Sequence, residues 1–248
     1  MIAVEYLYKK FAKYYDLIYS GKDYTAETDF LKYLVKKHHI KGKDTLEVGC
    51  GTGSHAILLQ KSGFNMTCID LNKEMLTVAR KKNRKIPFIQ GDMRDFTLRK
   101  KFDIILCLFS TIHYNQGVSD LRKTIRNFNN HLRPGGLLIF DMGFNEERWD
   151  PSKSRDVMHT STKELELVIF SVTSRKKEHG IFQRAYMLFK DGRFTFAKER
   201  HDLTIFRTPE VKMFLQQEGF DAEIHEGYSP KKWKPSSKKY VVFAAVKR

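Results

Sequence analysis

The stretch Thr45-Leu-Glu-Val-Gly-Cys-Gly-Thr-Gly53 carries the strongest indication of the fold of this chain. It reads as a short apolar strand with one acidic residue, followed by glycines at alternate positions. A second apolar run, Met66-Thr-Cys-Ile69, stops at Asp70. Because glycine has no Cβ, the loop can turn tightly and pass close to a ligand. Strand, glycine loop, second strand and terminal acid together predict an α/β protein that binds a nucleoside.

The spacing of the glycines in this loop limits which ligands it can bind. The dinucleotide fingerprint is G-x-G-x-x-G, whereas this loop reads G-x-G-x-G, with Ser54 where the last dinucleotide glycine would fall. Glu47 would repel a pyrophosphate but attract an ammonium or a sulfonium, and Asp70 can accept hydrogen bonds from both hydroxyls of a ribose. S-adenosylmethionine carries both a cationic amino-acid group for Glu47 and a ribose for Asp70. A nucleotide-dependent dehydrogenase, a ligand-free turn and a cofactor-binding protein without catalysis remain as alternatives.

The following segments supply an alternating pattern of strands and helices. Pro87-Phe-Ile-Gln-Gly-Asp92 is a third short strand ending in an acid that can bind the adenine amine, and Met93 can lie on the base. The continuous apolar run 102–109 is typical of a central parallel strand buried on both faces, and a further strand is predicted at 137–140. Helices are predicted at 54–62, 72–83 and 118–132. This alternation predicts a doubly wound, mostly parallel sheet with the ligand at the carboxyl ends of its strands.

These motifs resemble a known family. The 47–53 loop, Asp70, Gly91-Asp92-Met93 and Leu132-Arg-Pro-Gly-Gly136 are similar to successive motifs of class I S-adenosylmethionine-dependent methyltransferases, over residues 44–143. The stretches 15–19 (YDLIY), 21–27 (GKDYTAE), 91–96 (GDMRDF) and 109–114 (FSTIHY) are similar to N-methyltransferases that dimethylate amino sugars. Glycine and sarcosine methyltransferases are more distant relatives. The resemblance implies a seven-stranded Rossmann-like sheet whose last two strands form a hairpin, and methyl transfer to a small acceptor, most simply an amine.

Composition is consistent with this interpretation. The chain has 248 residues, 41% hydrophobic and 13% aromatic, enough for one large α/β domain with an insertion. It lacks an apolar run of about 18 residues, so no membrane span is expected, and its first residues do not read as a signal peptide. The odd number of scattered cysteines, three, suggests free thiols in a reducing cytoplasm. A monomer or a homodimer is expected.

The charge balance supports an alternative acceptor. The chain carries 45 Lys and Arg against 29 Asp and Glu, a net charge of +16, which is compatible with binding nucleic acid. The densest basic cluster lies at 231–239. The other basic residues are spread along the chain, and an aromatic RNA-recognition signature is absent from the sequence. A small-molecule acceptor is therefore favoured over RNA, with a tRNA methyltransferase as the alternative.

The composition shifts near residue 144, which predicts an insertion. Segments 165–172, 181–190 and 193–206 read as three strands joined by the turns 178–180 and 191–192. We expect residues 1–143 and 207–248 to form the cofactor domain, with N-terminal helices within 1–40 as a cap. Residues 144–206 should form a small antiparallel sheet covering the substrate cleft. A structural extension or a dimer surface is the alternative role for this sheet.

Methyl transfer from a sulfonium is an in-line displacement that requires alignment and exclusion of water rather than an enzyme nucleophile. No metal site is predicted, because the nine histidines are dispersed. Tyr15 and His113 are the predicted catalytic residues: Tyr15 to orient the acceptor, and His113, after the fourth strand, to take its proton. Tyr19 and Tyr24 are further candidates for substrate contact. Amphipathic packing is the alternative for Tyr15 and Tyr19, and an ordinary core or surface histidine is the alternative for His113. The resemblance implies that the N-terminal tyrosines close over the cofactor. The predicted cofactor contacts are Tyr15, Tyr24, Glu47, Gly49, Cys50, Gly51, Gly53, Asp70, Leu71, Met75, Asp92, Met93 and Leu108.

Overall fold

The computed structural model describes residues 6–146, 154–237 and 239–248. Residues 1–5 of the predicted cap, 147–153 of the predicted insertion and residue 238 of the basic segment lie outside the described residues. Two short 3-10 turns, Ala12–Tyr14 and Thr111–Tyr114, accompany the regular elements. The helices and strands are α1 Tyr15–Ile18, α2 Tyr24–Lys37, β1 Asp44–Val48, α3 Ser54–Lys61, β2 Asn65–Asp70, α4 Lys73–Lys82, β3 Phe88–Gln90, β4 Phe102–Cys107, α5 Val118–His131, β5 Leu132–Met142, β6 Arg155–Ser161, β7 Leu165–Lys176, β8 His179–Lys190, β9 Arg193–Thr204, α6 Thr208–Gln217, β10 Phe220–Glu226 and β11 Val241–Lys247.

Within the described residues, seven strands form the main sheet, in the order β10-β11-β5-β4-β1-β2-β3. Strands β1 to β5 pair in parallel, while β11 pairs antiparallel with both β5 and β10. The chain order reverses between β1 and β4, and ligands of open α/β sheets bind at such a switch point. The predicted doubly wound sheet with a C-terminal hairpin is confirmed.

Helices cover both faces of the main sheet, so its central strands are buried on both sides. On one face, α5 and α6 contribute residues such as Ile125, Phe128 and Phe214 to an apolar core. On the other, α2, α3 and α4 contribute residues such as Leu34 and Leu59. Strand β4 reads as an apolar run from Ile104 to Cys107 because these residues contact both layers.

The second sheet, β6-β7-β8-β9, is antiparallel throughout and lies in the chain between β5 and α6. The prediction of a small antiparallel sheet is confirmed, but the prediction of three strands is wrong, because β6 forms a fourth. Most β6 residues are exposed, and Val157 is 61% exposed. This edge strand therefore lacks the apolar alternation by which half-buried strands are recognised.

One face of the second sheet packs on the N-terminal segment. Leu167, Tyr186 and Leu188 form an apolar cluster with Leu7 and Phe11. This cluster fixes residues 6–19 against the second sheet, and both then border the carboxyl edge of the main sheet.

Candidate active site

A cavity of about 560 Å³ lies between the carboxyl ends of β1, β2 and β4, the N-terminal segment and the second sheet. Both helical and strand elements contribute to its wall, and twelve of the thirteen predicted cofactor contacts line it. These are Tyr15, Tyr24, Glu47, Gly49, Cys50, Gly51, Asp70, Leu71, Met75, Asp92, Met93 and Leu108. The sequence-predicted cofactor residues are thus brought to one place by the fold.

The glycine loop needs its glycines for two different reasons. Gly49 has a φ of 72°, and a Cβ there would lie 2.4 Å from the Thr111 side chain, so any larger residue would collide with the turn after β4. Gly53 has a φ of 77° and is the N-cap residue of α3. Gly53 does not line the cavity; its Cβ position faces Phe88 at 3.1 Å. The expected direct contact of Gly53 with the cofactor is therefore replaced by a structural role.

Glu47 is a buried carboxylate with an unsatisfied oxygen. It lies at the cavity wall, is 2% exposed, and its Oε2 has no hydrogen-bond partner among the described residues. Its Oε1 lies 3.6 Å from His55 Nδ1, which only partly compensates the charge. Burial raises the pKa of Glu47 to about 7. A buried acid without a partner is costly, and a cationic ligand group at this oxygen would satisfy it.

Asp70 is held rigidly at the end of β2. Its Oδ2 accepts from the Gly51 backbone N–H and its Oδ1 from that of Asn72, both at 2.8 Å. Burial raises its pKa, although these backbone donors oppose the shift. Because each carboxylate oxygen has further lone pairs, Asp70 can tether the glycine loop and still accept from a ligand hydroxyl.

Asp92 accepts more hydrogen bonds from the protein itself than its sequence position suggests. Arg94 donates to it from its backbone, Nε and Nη2 atoms, and also reaches Asp120 at 3.0 Å. The Arg94 hydrogen bonds lower the pKa of Asp92. The carboxylate is therefore anionic and fixed beside Met93. Because Arg94 occupies several of its lone pairs, fewer remain to accept a hydrogen bond from an adenine amine. Arg94, which also lines the cavity, was not among the predicted site residues.

Tyr15, Tyr19 and Tyr24 of the N-terminal region line the cavity, as expected. The rings of Tyr15 and Tyr19 lie 4.7 Å apart, and Tyr19 meets Phe109 edge-on at 5.0 Å. Tyr24, at the start of α2, packs on His55 at 4.9 Å. The segment is held in place by Asp16, which accepts from Thr52 in the glycine loop and from Lys82. The cap and the cofactor loop are therefore directly connected.

His113 does not face the cavity, and the expectation that it does is wrong. Its side chain is fully buried. Nδ1 lies 2.7 Å from the Thr204 carbonyl oxygen, and Nε2 accepts from the Phe144 backbone N–H at 3.3 Å. Burial lowers its pKa to about 4. The 3-10 turn after β4 directs Tyr114 into the cavity and His113 between β9 and the start of the insertion.

Several residues that line the cavity were not predicted. Tyr8 belongs to the N-terminal segment and Tyr114 to the turn after β4, while Phe182, Arg184 and His201 come from the second sheet. Phe182 pairs with His201 in the register of β8 and β9, and residues two positions apart share a face. In these strands every second side chain points to the same side of the sheet, so the sequence could have indicated which residues face the cavity.

Over the described ranges, no group of three or more His, Cys, Asp or Glu side chains is arranged to hold a metal ion. Among the helices of the same ranges, none is long and apolar enough to cross a bilayer.

Comparison with known proteins agrees with this geometry. Residues 45–136 match the family described as methyltransferase domain. The chain is 30% identical to dTDP-3-amino-3,4,6-trideoxy-alpha-D-glucopyranose N,N-dimethyltransferase of Streptomyces venezuelae, over 87% of this chain and 92% of the relative. It is 29% identical to dTDP-3-amino-3,6-dideoxy-alpha-D-glucopyranose N,N-dimethyltransferase of Streptomyces fradiae, over 87% and 86%. The solved structure of Streptomyces venezuelae DesVI superposes with a TM-score of 0.84 at 26% identity, covering 96% of this chain and 98% of that one.

The chain belongs to the class I S-adenosylmethionine-dependent methyltransferases. It is an enzyme of that class, and its cofactor is S-adenosylmethionine.

Proposed function

We propose that the enzyme transfers a methyl group to the amine nitrogen of a small acceptor, an amino sugar attached to a nucleotide. Two relatives that align over most of the chain are named for dimethylating dTDP-linked amino sugars. The cavity that holds the predicted cofactor residues continues to the aromatic and polar side chains of the second sheet. A small acceptor fits this partly enclosed space better than a folded RNA does.

The observation that carries the cofactor assignment is the unsatisfied Oε2 of Glu47. An α-ammonium group bound there would supply the partner that this oxygen of the buried carboxylate lacks, and charged hydrogen bonds of this kind are the strong ones. Asp70 would receive the ribose hydroxyls on the lone pairs that Gly51 and Asn72 do not use. The glycine loop, with no Cβ at Gly51, would let the backbone approach the ligand.

The base of the cofactor would lie among apolar side chains beside Asp92. Leu71 is 57% exposed at the cavity rim, where a bound base would cover it. Met93 and Leu108 add two more apolar walls. Asp92, fixed by Arg94, would accept one hydrogen bond from the exocyclic amine with its remaining lone pairs.

The acceptor would occupy the part of the cavity bordered by the second sheet. Arg184 lines it, and its Nε has no partner among the described residues, while its Nη1 donates to Tyr19 at 3.2 Å. A guanidinium at the cavity wall suits a phosphate oxygen of a nucleotide-linked acceptor. Phe182 and Phe144 supply apolar surface for a sugar or base. The second sheet would thus cover the substrate.

The cofactor supplies a methyl group already activated by a positively charged sulfur, so the protein needs mainly to position and desolvate. The rings of Tyr15 and Tyr19 would exclude water from the reacting nitrogen, and the Tyr15 hydroxyl would orient it. His113 cannot act as the base, because its ring is buried outside the cavity and both of its nitrogens are engaged.

A methylation assay with a small panel of acceptors tests the proposal. We expect turnover of dTDP-3-amino-3,6-dideoxy-glucose, weaker turnover of free amines, and none of tRNA. Methylation of tRNA at low enzyme concentration with no activity on any amine would contradict the proposal. Activity on RNA would also fall steeply between about 50 and 200 mM salt, as phosphate contacts are lost.

A further inference from the structure

A chain of polar side chains leads from the cavity into the second sheet. The Tyr8 hydroxyl lies 2.8 Å from the Tyr114 hydroxyl, which lies 3.1 Å from Nδ1 of His201. His201 Nε2 lies 2.9 Å from Glu199 Oε1. Tyr8, Tyr114 and His201 all line the cavity, whereas Glu199 is buried behind them.

Glu199 is fixed from three sides. Its Oε2 accepts from the Leu7 backbone N–H at 2.9 Å, and its Oε1 accepts from the Tyr186 hydroxyl. Burial alone would raise the pKa of Glu199, but its contacts with His201, Leu7 and Tyr186 lower it overall. An anionic carboxylate beside an imidazole stabilises the protonated ring. The bond to Leu7 also places Tyr8, so the chain of side chains forms when the N-terminal segment packs on the second sheet.

We propose that Tyr8, Tyr114 and His201 relay the proton of the acceptor amine, with His201 as its destination. The proposal rests on the proposed function, since an amine acceptor must lose a proton before its lone pair can attack. It requires the neutral His201 tautomer with the hydrogen on Nε2, toward Glu199. Nδ1 then accepts from Tyr114, Tyr114 accepts from Tyr8, and the Tyr8 oxygen is left to accept from the acceptor.

These residues account for every proton that moves in the relay. The acceptor ammonium gives its proton to the Tyr8 oxygen as the Tyr8 proton passes to Tyr114 and the Tyr114 proton to Nδ1. The products are a neutral amine, two neutral tyrosines and an imidazolium paired with Glu199. No tyrosinate forms, which matters because burial raises the pKa of both hydroxyls above their ordinary value. The imidazolium returns its proton to solvent between turnovers.

The charges that face His201 come from several elements. Glu199, on its own strand, favours the imidazolium, while Arg184, paired opposite Glu199 in the register of β8, opposes it. Tyr8 from the N-terminal segment and Tyr114 from the turn after β4 are neutral partners. The other buried candidate bases have different surroundings: His113 lies outside the cavity, and Glu47 would be paired with the cofactor.

Kinetics on four variants test the relay. Tyr8→Phe keeps the ring and removes one hydroxyl; His201→Asn keeps an acceptor for Tyr114 but cannot hold the proton. With dTDP-3-amino-3,6-dideoxy-glucose, each should lower kcat about 10²-fold, with KM for S-adenosylmethionine unchanged. The double variant should be no slower than either single one, because both break the same path. Tyr14→Phe, in the same segment but outside the cavity wall, is the matched control.

Equal kcat in Tyr8→Phe, Tyr14→Phe and the unchanged chain would overturn the relay, as would additive losses in the double variant. A spectroscopic measurement that needs no acceptor separates this from failure of the proposed function. Nitrogen-15 NMR of the histidines, with S-adenosylhomocysteine added, should show His201 neutral at pH 7.5 with its hydrogen on Nε2, and its Nδ1 signal should shift in Tyr8→Phe. A hydrogen on Nδ1, or a ring already charged, would reverse or block the relay and overturn it even if the amino sugar is methylated.

Discussion

Replacing Glu47 by glutamine should change stability and cofactor affinity in opposite directions. Glu47 is 2% exposed, with one oxygen unpartnered and a pKa of about 7. Between its ordinary value of 4.5 and about 7, the folded state binds more protons than the unfolded state, so the free energy of unfolding falls as pH rises through that window. The pKa difference corresponds to about 3 kcal/mol at most above pH 7. Glu47→Gln removes this cost, so the ligand-free variant should melt several degrees higher at pH 8.

The same substitution should weaken binding of S-adenosylmethionine. Losing a charged hydrogen bond of about 1.5–3 kcal/mol lowers affinity roughly 10- to 150-fold. In the unchanged chain, binding of the ammonium requires Glu47 to be ionised, so affinity should improve up to about tenfold per pH unit below 7 and level off above it. This slope should vanish in Glu47→Gln.

Titration calorimetry at pH 6, 7 and 8, together with thermal melts of the ligand-free protein, measures both effects. Glu164→Gln is the matched control, because it removes the same charge from an exposed residue of the turn between β6 and β7. An affinity within about threefold of the unchanged chain, with the same pH slope, would refute the role assigned to Glu47. A lower melting temperature at pH 8 would refute the argument from its unpartnered oxygen.

Three further outcomes are expected. Asp70→Asn should weaken cofactor binding roughly 10- to 100-fold by calorimetry, because it loses charged hydrogen bonds to the diol and to the loop; unchanged binding would exclude the diol contact. Since the pKa of His113 is lowered to about 4, stability should be lost as pH falls from about 6.5 to 4, and urea unfolding should show a smaller loss in His113→Asn, with cofactor affinity preserved. A variant that stays folded but loses affinity would return His113 to the site. Tyr15→Phe should lower kcat about tenfold at constant cofactor affinity, if its hydroxyl orients the acceptor; equal kcat would limit Tyr15 to packing.

The main sheet was predictable because its signals are local and mutually consistent. Strand β4 is apolar from Ile104 to Cys107 since both of its faces are covered there, and the loop after β1 carries its glycines where the backbone must turn. Glu47 and Asp70 could be placed at one edge because parallel strands end there together. These elements needed no knowledge of tertiary contacts beyond the alternation of strands and helices.

The features that the sequence did not predict depend on tertiary contacts, which the spacing of residues along the chain does not reveal. Strand β6 is exposed along most of its length, so its pairing with β7 leaves little apolar pattern. His113 follows β4 as predicted. However, the one-turn 3-10 helix at this position directs the Tyr114 side chain into the cavity and the His113 side chain away from it. Tyr8 is placed at the cavity by contacts between residues far apart in sequence, such as the bond from the Leu7 N–H to Glu199.

The identity of the methyl acceptor is measured most directly by isotope transfer. The enzyme would be incubated with S-adenosylmethionine carrying a deuterated methyl group and dTDP-3-amino-3,6-dideoxy-glucose, and the products analysed by mass spectrometry. Labelled methyl groups are expected on the amino nitrogen of the sugar, formed at a rate that depends on Glu47. An unlabelled sugar, with the label recovered instead in added tRNA, would contradict it.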